Sequence, residues 1–467
     1  MNDYDLIIIG GGAGAFASAI KANELKAKTL MVNKGLPLGG TCVNVGCVPS
    51  KTLLWAGEVM HLARNHNIPG IDIEVKNFDF AQVVQHELDL VDKLRAEKYE
   101  KVLNGLEHVT HIEGQATFVS PNEIEVAGQK YQAKKFIIAA GSTATVPPIE
   151  NIQEVGYLTH IEALQIKNQP KELIVVGAGP LGLEFAQMYS RFGTKVTVLQ
   201  RSDSIFPPAE KELTTRLAEI LTNEGITIKT NVQVKSARKE GNKKILTYTV
   251  SDKQEEVSAD EILLATGKTP NTQGLTLDKA SVELDEKQAI KVNPQFQTSQ
   301  SHIYAVGDIT NAPVRLEPTA GREGTLATEN ALKRTRNSVD YNSVPWTIFT
   351  DPQLAGVGFT EEEQMKKFGT CMCKTVSFKD VTKALIINRT EGLIKMAIHP
   401  ETKQITGVHI LAANAGELIA EAMMLVKGKN TTDDVINSLP MFPTLSEAIK
   451  IAALSFTNDI TKLSCCV

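Results

Sequence analysis

An apolar run at residues 3–9 ends in Gly10-x-Gly12-x-x-Ala15, opens an alanine-rich helical stretch to residue 25, and is followed by a second apolar run at 29–32. Strand, glycine turn, helix and strand within about 30 residues is the mononucleotide-binding unit. The first glycine permits the tight turn, and the second lets backbone amides approach a pyrophosphate at the helix N-terminus. Gly14 lies inside the same turn, and alanine is tolerated in the third position. The order recurs as an apolar run at 172–176, Gly177-x-Gly179-x-x-Gly182, a helical stretch at 183–192 and a strand at 195–199. Two such units in one chain of 467 residues predict an α/β protein with two Rossmann-like dinucleotide-binding domains.

The residue ending the second strand of each unit bears on which nucleotide it takes. The first unit has Asn33 where an acid usually holds a ribose hydroxyl, so an uncharged ribose contact is expected there. The second has Gln200 followed by Arg201, which suits the 2′-phosphate of NADPH better than the free ribose of NADH. Two loops suggest two dinucleotides: a flavin held permanently and a nicotinamide cofactor that comes and goes. Further strand-plus-glycine stretches end at Gly141, Gly267 and Gly307-Asp308.

From about residue 344 strands (392–398, 405–412) alternate with helices (415–426, 445–456), a pattern that predicts a separate α+β domain. The expected division is 1–148 with 270–343 for the first dinucleotide, 149–269 for the second, and 344–467 for the C-terminal domain. A formal charge of −5 removes the electrostatic footprint of a nucleic-acid binder. No apolar run nears the roughly 18 residues of a membrane span. Six cysteines are too sparse for a secreted disulfide scaffold, and the acidic N-terminus does not resemble a signal peptide. A cytoplasmic location is therefore expected.

Between the glycine loops lies Gly39-Gly40-Thr41-Cys42-Val43-Asn44-Val45-Gly46-Cys47-Val48-Pro49-Ser50-Lys51. Two cysteines five residues apart near a helix start can form a redox pair, with the helix N-terminus and a nearby lysine lowering a thiolate pKa. Buried free thiols or half of a metal site are the alternatives. Cys371-x-Cys373 reads as structural or surface thiols.

The thirteen-residue stretch resembles the redox signature of the FAD-dependent pyridine nucleotide-disulfide oxidoreductases. Ala265-Thr266-Gly267-Lys268-Thr269-Pro270-Asn271 is similar to that family's A-T-G-x-x-P-N box, with lysine where arginine is common. Val306-Gly307-Asp308 resembles the box whose aspartate binds the flavin ribityl chain, and Phe349-Thr350-x-Pro352 resembles the start of the dimerisation domain. The resemblance covers essentially the whole chain. It implies FAD near Gly40, Thr41, Lys51, Gly141 and Asp308, and a homodimer whose active sites are shared between subunits. It also implies a Cys42–Cys47 disulfide opened by reduced flavin, Cys47 as the flavin-proximal thiolate and Cys42 as the exchange thiol. Lys51 would stabilise charge at the flavin and pair with Glu184.

In the thiol-disulfide branches the motif H-P-T-x-x-E supplies a catalytic histidine from the partner subunit. Here it reads Phe442-Pro443-Thr444-Leu445-Ser446-Glu447, and no histidine follows His409. Phenylalanine cannot carry the proton that a leaving thiolate needs. The ending Cys465-Cys466-Val467 is similar to the vicinal pair that closes the mercury-reducing branch, and adjacent thiols suit a soft cation. That likeness implies mercury(II), arriving as a thiol complex, taken by Cys465 and Cys466, passed to Cys42 and Cys47 and reduced to mercury(0) with NADPH. Tyr99 matches a tyrosine beside the inner pair, whereas Phe442 stands where a second tyrosine is usual. The N-terminal metal-binding domain of many such proteins is expected to be absent. The rivals are another NAD(P)H disulfide reductase of the same fold, or a metal-sequestering flavoprotein.

Overall fold

The computed structural model describes residues 2–462 and 464. Among them the strands form five sheets. The first has a parallel layer of Val109–Glu113, Thr29–Asn33, Asn2–Ile9, Gln129–Ile138 and Ile303–Ala305. An antiparallel pair, Thr117–Ser120 and Glu123–Val126, extends it through the N-terminal part of the long strand Gln129–Ile138. A second, wholly parallel sheet orders Thr227–Lys229, Lys195–Leu199, Glu172–Val176 and Glu261–Leu264. The α/β class with two dinucleotide-type sheets, read from the glycine loops, is therefore the observed one.

Both faces of these sheets are covered, which is why their central strands are continuous apolar runs rather than alternating ones. In Asn2–Ile9, Ile7 and Ile9 point into one core and Leu6 and Ile8 into another. In Glu172–Val176, Leu173 and Val175 likewise separate from Ile174 and Val176. Each fully buried Leu or Ile contributes about 1.5–3 kcal/mol.

The helix Ala13–Glu24 lies against Glu317–Lys333 with backbone in contact: a Cβ on Gly324 would stand 2.2 Å from the Gly14 carbonyl oxygen. Ser18 Oγ donates across this crossing to the Gly324 carbonyl at 3.1 Å. The chain passes to and from the second parallel sheet through an antiparallel ribbon, Ser142–Ala144 with Lys268–Pro270. A three-stranded meander, Gln233–Glu240, Lys243–Val250 and Lys253–Ala259, packs beside that sheet.

The C-terminal part is the expected α+β unit. Trp346–Ile348, Gln353–Gly358, Ile405–Ala412, Leu393–Ile398 and Met372–Ser377 form an antiparallel sheet, covered by Ala415–Gly428 and Glu447–Leu454. Asp351 ties it to the second unit, receiving Arg191 Nη2 at 3.0 Å and also pairing with Arg389. No helix among the described residues is long and apolar enough to cross a membrane.

Candidate active site

The first glycine loop is shaped by backbone proximity. Gly10 has φ +138°, and a Cβ there would sit 2.2 Å from the Ala139 carbonyl oxygen. At Gly12 an added Cβ would meet only Gly40 Cα, at 3.8 Å, so the space above it is open. Gly12 caps Ala13–Glu24 with no side-chain hydrogen bond to the first turn. The helix thus begins with amides free for an anion. An open cradle over a glycine N-cap fits the pyrophosphate of FAD. Ala15 is buried beneath the loop.

Asn33 ends its strand against Gly11, its amide donating to the Leu36 carbonyl at 3.0 Å. Gly141, at φ +67°, has nothing within 4 Å of its would-be Cβ. Asp308, in the turn Gly307–Ile309, receives Ser142 Oγ at 2.7 Å, which joins two of the predicted flavin boxes.

The second loop repeats the design. A Cβ on Gly177 (φ +106°) would approach the Ala265 carbonyl oxygen to 2.4 Å, and one on Gly182 would approach the Gly177 carbonyl oxygen to 2.0 Å. Gly179 faces open space and caps Pro180–Arg191 without a side-chain hydrogen bond. These features fit a second dinucleotide. Gln200 is engaged with protein: its Oε1 accepts from Ala178 N at 3.1 Å and its amide donates to Ser204 O at 3.1 Å. It braces the glycine loop, and Arg201 alone of the pair faces solvent. Gly267 (φ +115°) is open in the same manner as Gly141. Lys268 beside it is held below the ordinary lysine range by burial and lies 3.2 Å from His160 Nε2. Burial, aided by Lys268, lowers His160 to about 4, so its ring is neutral and accepts from the ammonium.

The dithiol is attached directly to the first loop. Gly39 N donates to the Gly11 carbonyl at 2.8 Å, and Gly40 packs on Gly12. From there Gly40–Val45, which carries Thr41 and Cys42, breaks at Gly46, and Cys47 begins the long helix Cys47–Asn65. A side chain at Gly46 would crowd the Thr41 carbonyl to 2.8 Å, so the break places Cys42 over the start of the next helix. Cys42 and Cys47 stand as free thiols in this structure, where the sequence reading expects a disulfide.

A hydrogen bond between the sulfurs is the main reason Cys47 falls to about 7, against an ordinary 9.0, with Lys51 adding its positive field. The same bond, followed by burial, pushes Cys42 upward. Thiolate therefore forms first at Cys47, at the helix N-terminus.

Lys51 Nζ meets Glu184 Oε2 at 2.6 Å and lies 4.6 Å from the Phe349 ring centroid. Glu184, buried in Pro180–Arg191, also accepts from Phe349 N at 2.9 Å. This pair links the dithiol helix, the second nucleotide unit and the first residues of the C-terminal unit. Tyr99 sits in a π-helical turn, Ala96–Glu100, edge-on to Phe16 at 4.9 Å. Burial, then the two cysteines, push its phenol to about 12, so it is neutral near pH 7.

Glu317 was not singled out from sequence. Its charge raises Cys42, Cys47 and Tyr99 alike, so it belongs to this site. A lone acid in the first turn of a helix gives no sequence signal; the Gly14–Gly324 crossing brings it here. Phe442 is 42% exposed, away from solvent only in part, and Glu447 is buried with Oε2 unpartnered among the described residues. Cys465 and Cys466 lie outside the described residues. Cys371 and Cys373 are joined by a disulfide rather than standing as separate thiols.

The geometry has its counterpart among known proteins. Residues 4–328 match the pyridine nucleotide-disulphide oxidoreductase family, and residues 344–453 match the dimerisation domain of that family. The chain is 38% identical to a mercuric reductase of Staphylococcus aureus over 99% of this chain and 84% of the relative. It is 36% identical to a mitochondrial dihydrolipoyl dehydrogenase of Pisum sativum, over 97% and 91%. Among solved structures it is similar to the HOCl-induced flavoprotein disulfide reductase RclA from Escherichia coli, with a TM-score of 0.87, 25% identity, and coverage of 97% and 100%. The chain belongs to the pyridine nucleotide-disulphide oxidoreductase family.

Proposed function

We propose that this chain is a cytoplasmic, NADPH-dependent reductase of mercury(II), working as a homodimer through its Cys42–Cys47 dithiol. The observation that carries the reading is a pair of adjacent free thiols, with Cys47 lowered to about 7 and Cys42 raised, together with phenylalanine at position 442. The likeness to mercuric reductases and the Cys465-Cys466 ending support it. Exposed Met424, Leu439 and Met441 on the C-terminal unit suit a subunit face.

FAD, when bound, supplies the two-electron relay between nicotinamide and dithiol. The chain supplies binding and ligand exchange. The amides of the first loop would hold the pyrophosphate of FAD, and Asp308, held by Ser142, would receive its ribityl hydroxyls. Gly179 admits the NADPH pyrophosphate, and Arg201 meets its 2′-phosphate. Lys51, fixed by Glu184, keeps a positive charge beside Cys47.

The metal arrives with two thiolate ligands, which Cys465 and Cys466 of one subunit replace. Cys42 and Cys47 then take it over, each new bond displacing one sulfur. The Cys47 thiolate enters without first losing a proton, and Cys42 gives its proton to the departing thiolate. NADPH gives up two electrons and mercury(II) takes up two, leaving mercury(0). Phe442 offers no third ligand and Tyr99 stays a neutral phenol, so a two-coordinate ion is not stabilised against reduction.

The test is anaerobic NADPH oxidation with mercuric chloride in excess thiol, beside a lipoamide control. Oxidation with mercury, release of volatile metal and no turnover of lipoamide are expected. Turnover of the disulfide but not the metal would favour the disulfide-reductase reading, for which the likeness to dihydrolipoyl dehydrogenase speaks. Mercury binding without NADPH consumption would favour sequestration.

A further inference from the structure

Among the described residues, one group of metal-ligating side chains has ligand atoms within 4.8 Å of one another: Glu361, Cys371 and Cys373. Cys373 lies on Met372–Ser377, the outer strand of the C-terminal sheet, and Cys371 immediately precedes it. Residues two apart on an extended chain share a face. Glu361 opens the helix Glu361–Phe368 over that face. Lys395 projects from the same side, since Thr375 pairs with Lys395 and Cys373 with Ala397.

Charge favours a cation there. Lys395 Nζ bonds Glu361 while also lying 3.1 Å from Glu210 and 4.0 Å from Glu212, so one ammonium is shared by three carboxylates. These groups border a cleft of about 650 Å³ whose acids, Asp203, Glu210, Glu212, Glu361 and Glu362, outnumber Lys211 and Lys395. Excess negative charge in a walled cleft concentrates cations.

We propose that Cys371 and Cys373, once reduced, bind one soft divalent cation between their thiolates, with Glu361 as an oxygen ligand. The structure holds the two sulfurs as a disulfide, so a reductant must come first. Two molecules of a low-molecular-weight thiol supply two electrons and two protons and leave as their own disulfide. The two cysteine thiols then lose their protons as the cation binds. Two thiolates select a soft metal, and the third ligand makes this a retaining site, unlike the two-sulfur dithiol at Cys42 and Cys47. Binding there needs neither flavin nor turnover, so it stands whether or not the chain reduces mercury.

The experiment uses cadmium(II) as probe on the full-length flavoprotein carrying Cys42→Ser, Cys47→Ser, Cys465→Ser and Cys466→Ser. After phosphine reduction and desalting, two thiols and one tightly held cadmium per subunit are expected, with both thiols protected from a thiol reagent. Adding Cys371→Ser and Cys373→Ser abolishes binding, and Glu361→Gln weakens it on the order of tenfold. In the otherwise unaltered flavoprotein, Cys371→Ser/Cys373→Ser lowers the cadmium stoichiometry by one per subunit, which serves if the multiple variant does not fold. No thiols released by phosphine, no cadmium held, or an affinity indifferent to Glu361→Gln would each overturn the proposal.

Discussion

The inner dithiol gives a quantitative test in the replacement Cys42→Ala. It removes the hydrogen bond that contributes most to holding Cys47 near 7, and leaves Lys51 and the helix N-terminus in place. At pH 7 a thiol titrating at about 7 is about half thiolate, whereas an ordinary one is about 1% thiolate, a ratio of roughly 50. The lower pKa also weakens the nucleophile, by about eightfold for two units at a Brønsted slope near 0.45. The net advantage of Cys47 toward a small disulfide at pH 7 is therefore about sixfold. The order reverses just above about pH 8, and well above pH 9, with both thiols ionised, the ordinary one is about eightfold faster. Stopped-flow exchange of the reduced protein across pH 5–10 reads both limbs. The parent should show a midpoint near 7, and Cys42→Ala should move it toward 9.0, slower at neutral pH and faster in alkali. An unmoved midpoint in the variant would refute the argument, because the Lys51 field and helix dipole would then suffice.

Other expectations follow from the same geometry. Lys51→Met leaves Glu184 buried with Phe349 N as its remaining donor, and Lys51 is itself a third exposed, which reduces the usual cost of a broken buried pair to about 2 kcal/mol. Denaturant unfolding should show that loss, and Lys51→Met/Glu184→Gln should recover most of it; additive losses would mean the pair is not coupled. Gly12→Ala should fold at nearly the parent melting temperature yet fail to retain flavin, because its Cβ meets ligand space rather than protein, whereas Gly10→Ala should unfold the unit. Equal losses of stability would contradict this. Glu317→Gln removes a charge that raises Cys47, so the exchange midpoint should fall below the parent value; a rise would misplace Glu317. The pH dependence of stability has a fixed sign for Cys47. Its folded pKa is depressed, so its contribution is full above 9.0 and is lost as pH falls through about 7.

The parts legible in the sequence are those in which backbone conformation dictates residue type. Gly10, Gly177 and Gly182 are required by carbonyls that would collide with a Cβ, and residues 173–176 are apolar because both faces of their strand are buried. Such demands act within a few residues and leave a pattern. The meander of Gln233–Ala259 leaves a weaker one, because much of its outer strand is exposed and its residues are polar.

What sequence could not reveal is set by contacts across the chain. Gln200 reads as a nucleotide contact from its place after the second strand, but both ends of its amide are taken up by Ala178 and Ser204, which leaves Arg201 as the exposed residue of the pair. Glu317 acts electrostatically on the dithiol from a helix some 300 residues away in sequence, which touches the first helix by its backbone at Gly14 and Gly324. The break at Gly46 illustrates the interplay of the two kinds of information. The cysteine spacing suggested a redox pair at a helix start, yet it is the break that separates a short helix bearing Cys42 from a long one led by Cys47. An unbroken helix would place the residues five apart on different sides of the axis. The glycine therefore allows one thiol to hydrogen-bond the other at a helix N-terminus, and the low pKa of Cys47 follows mainly from that placement, with the field of Lys51 adding to it.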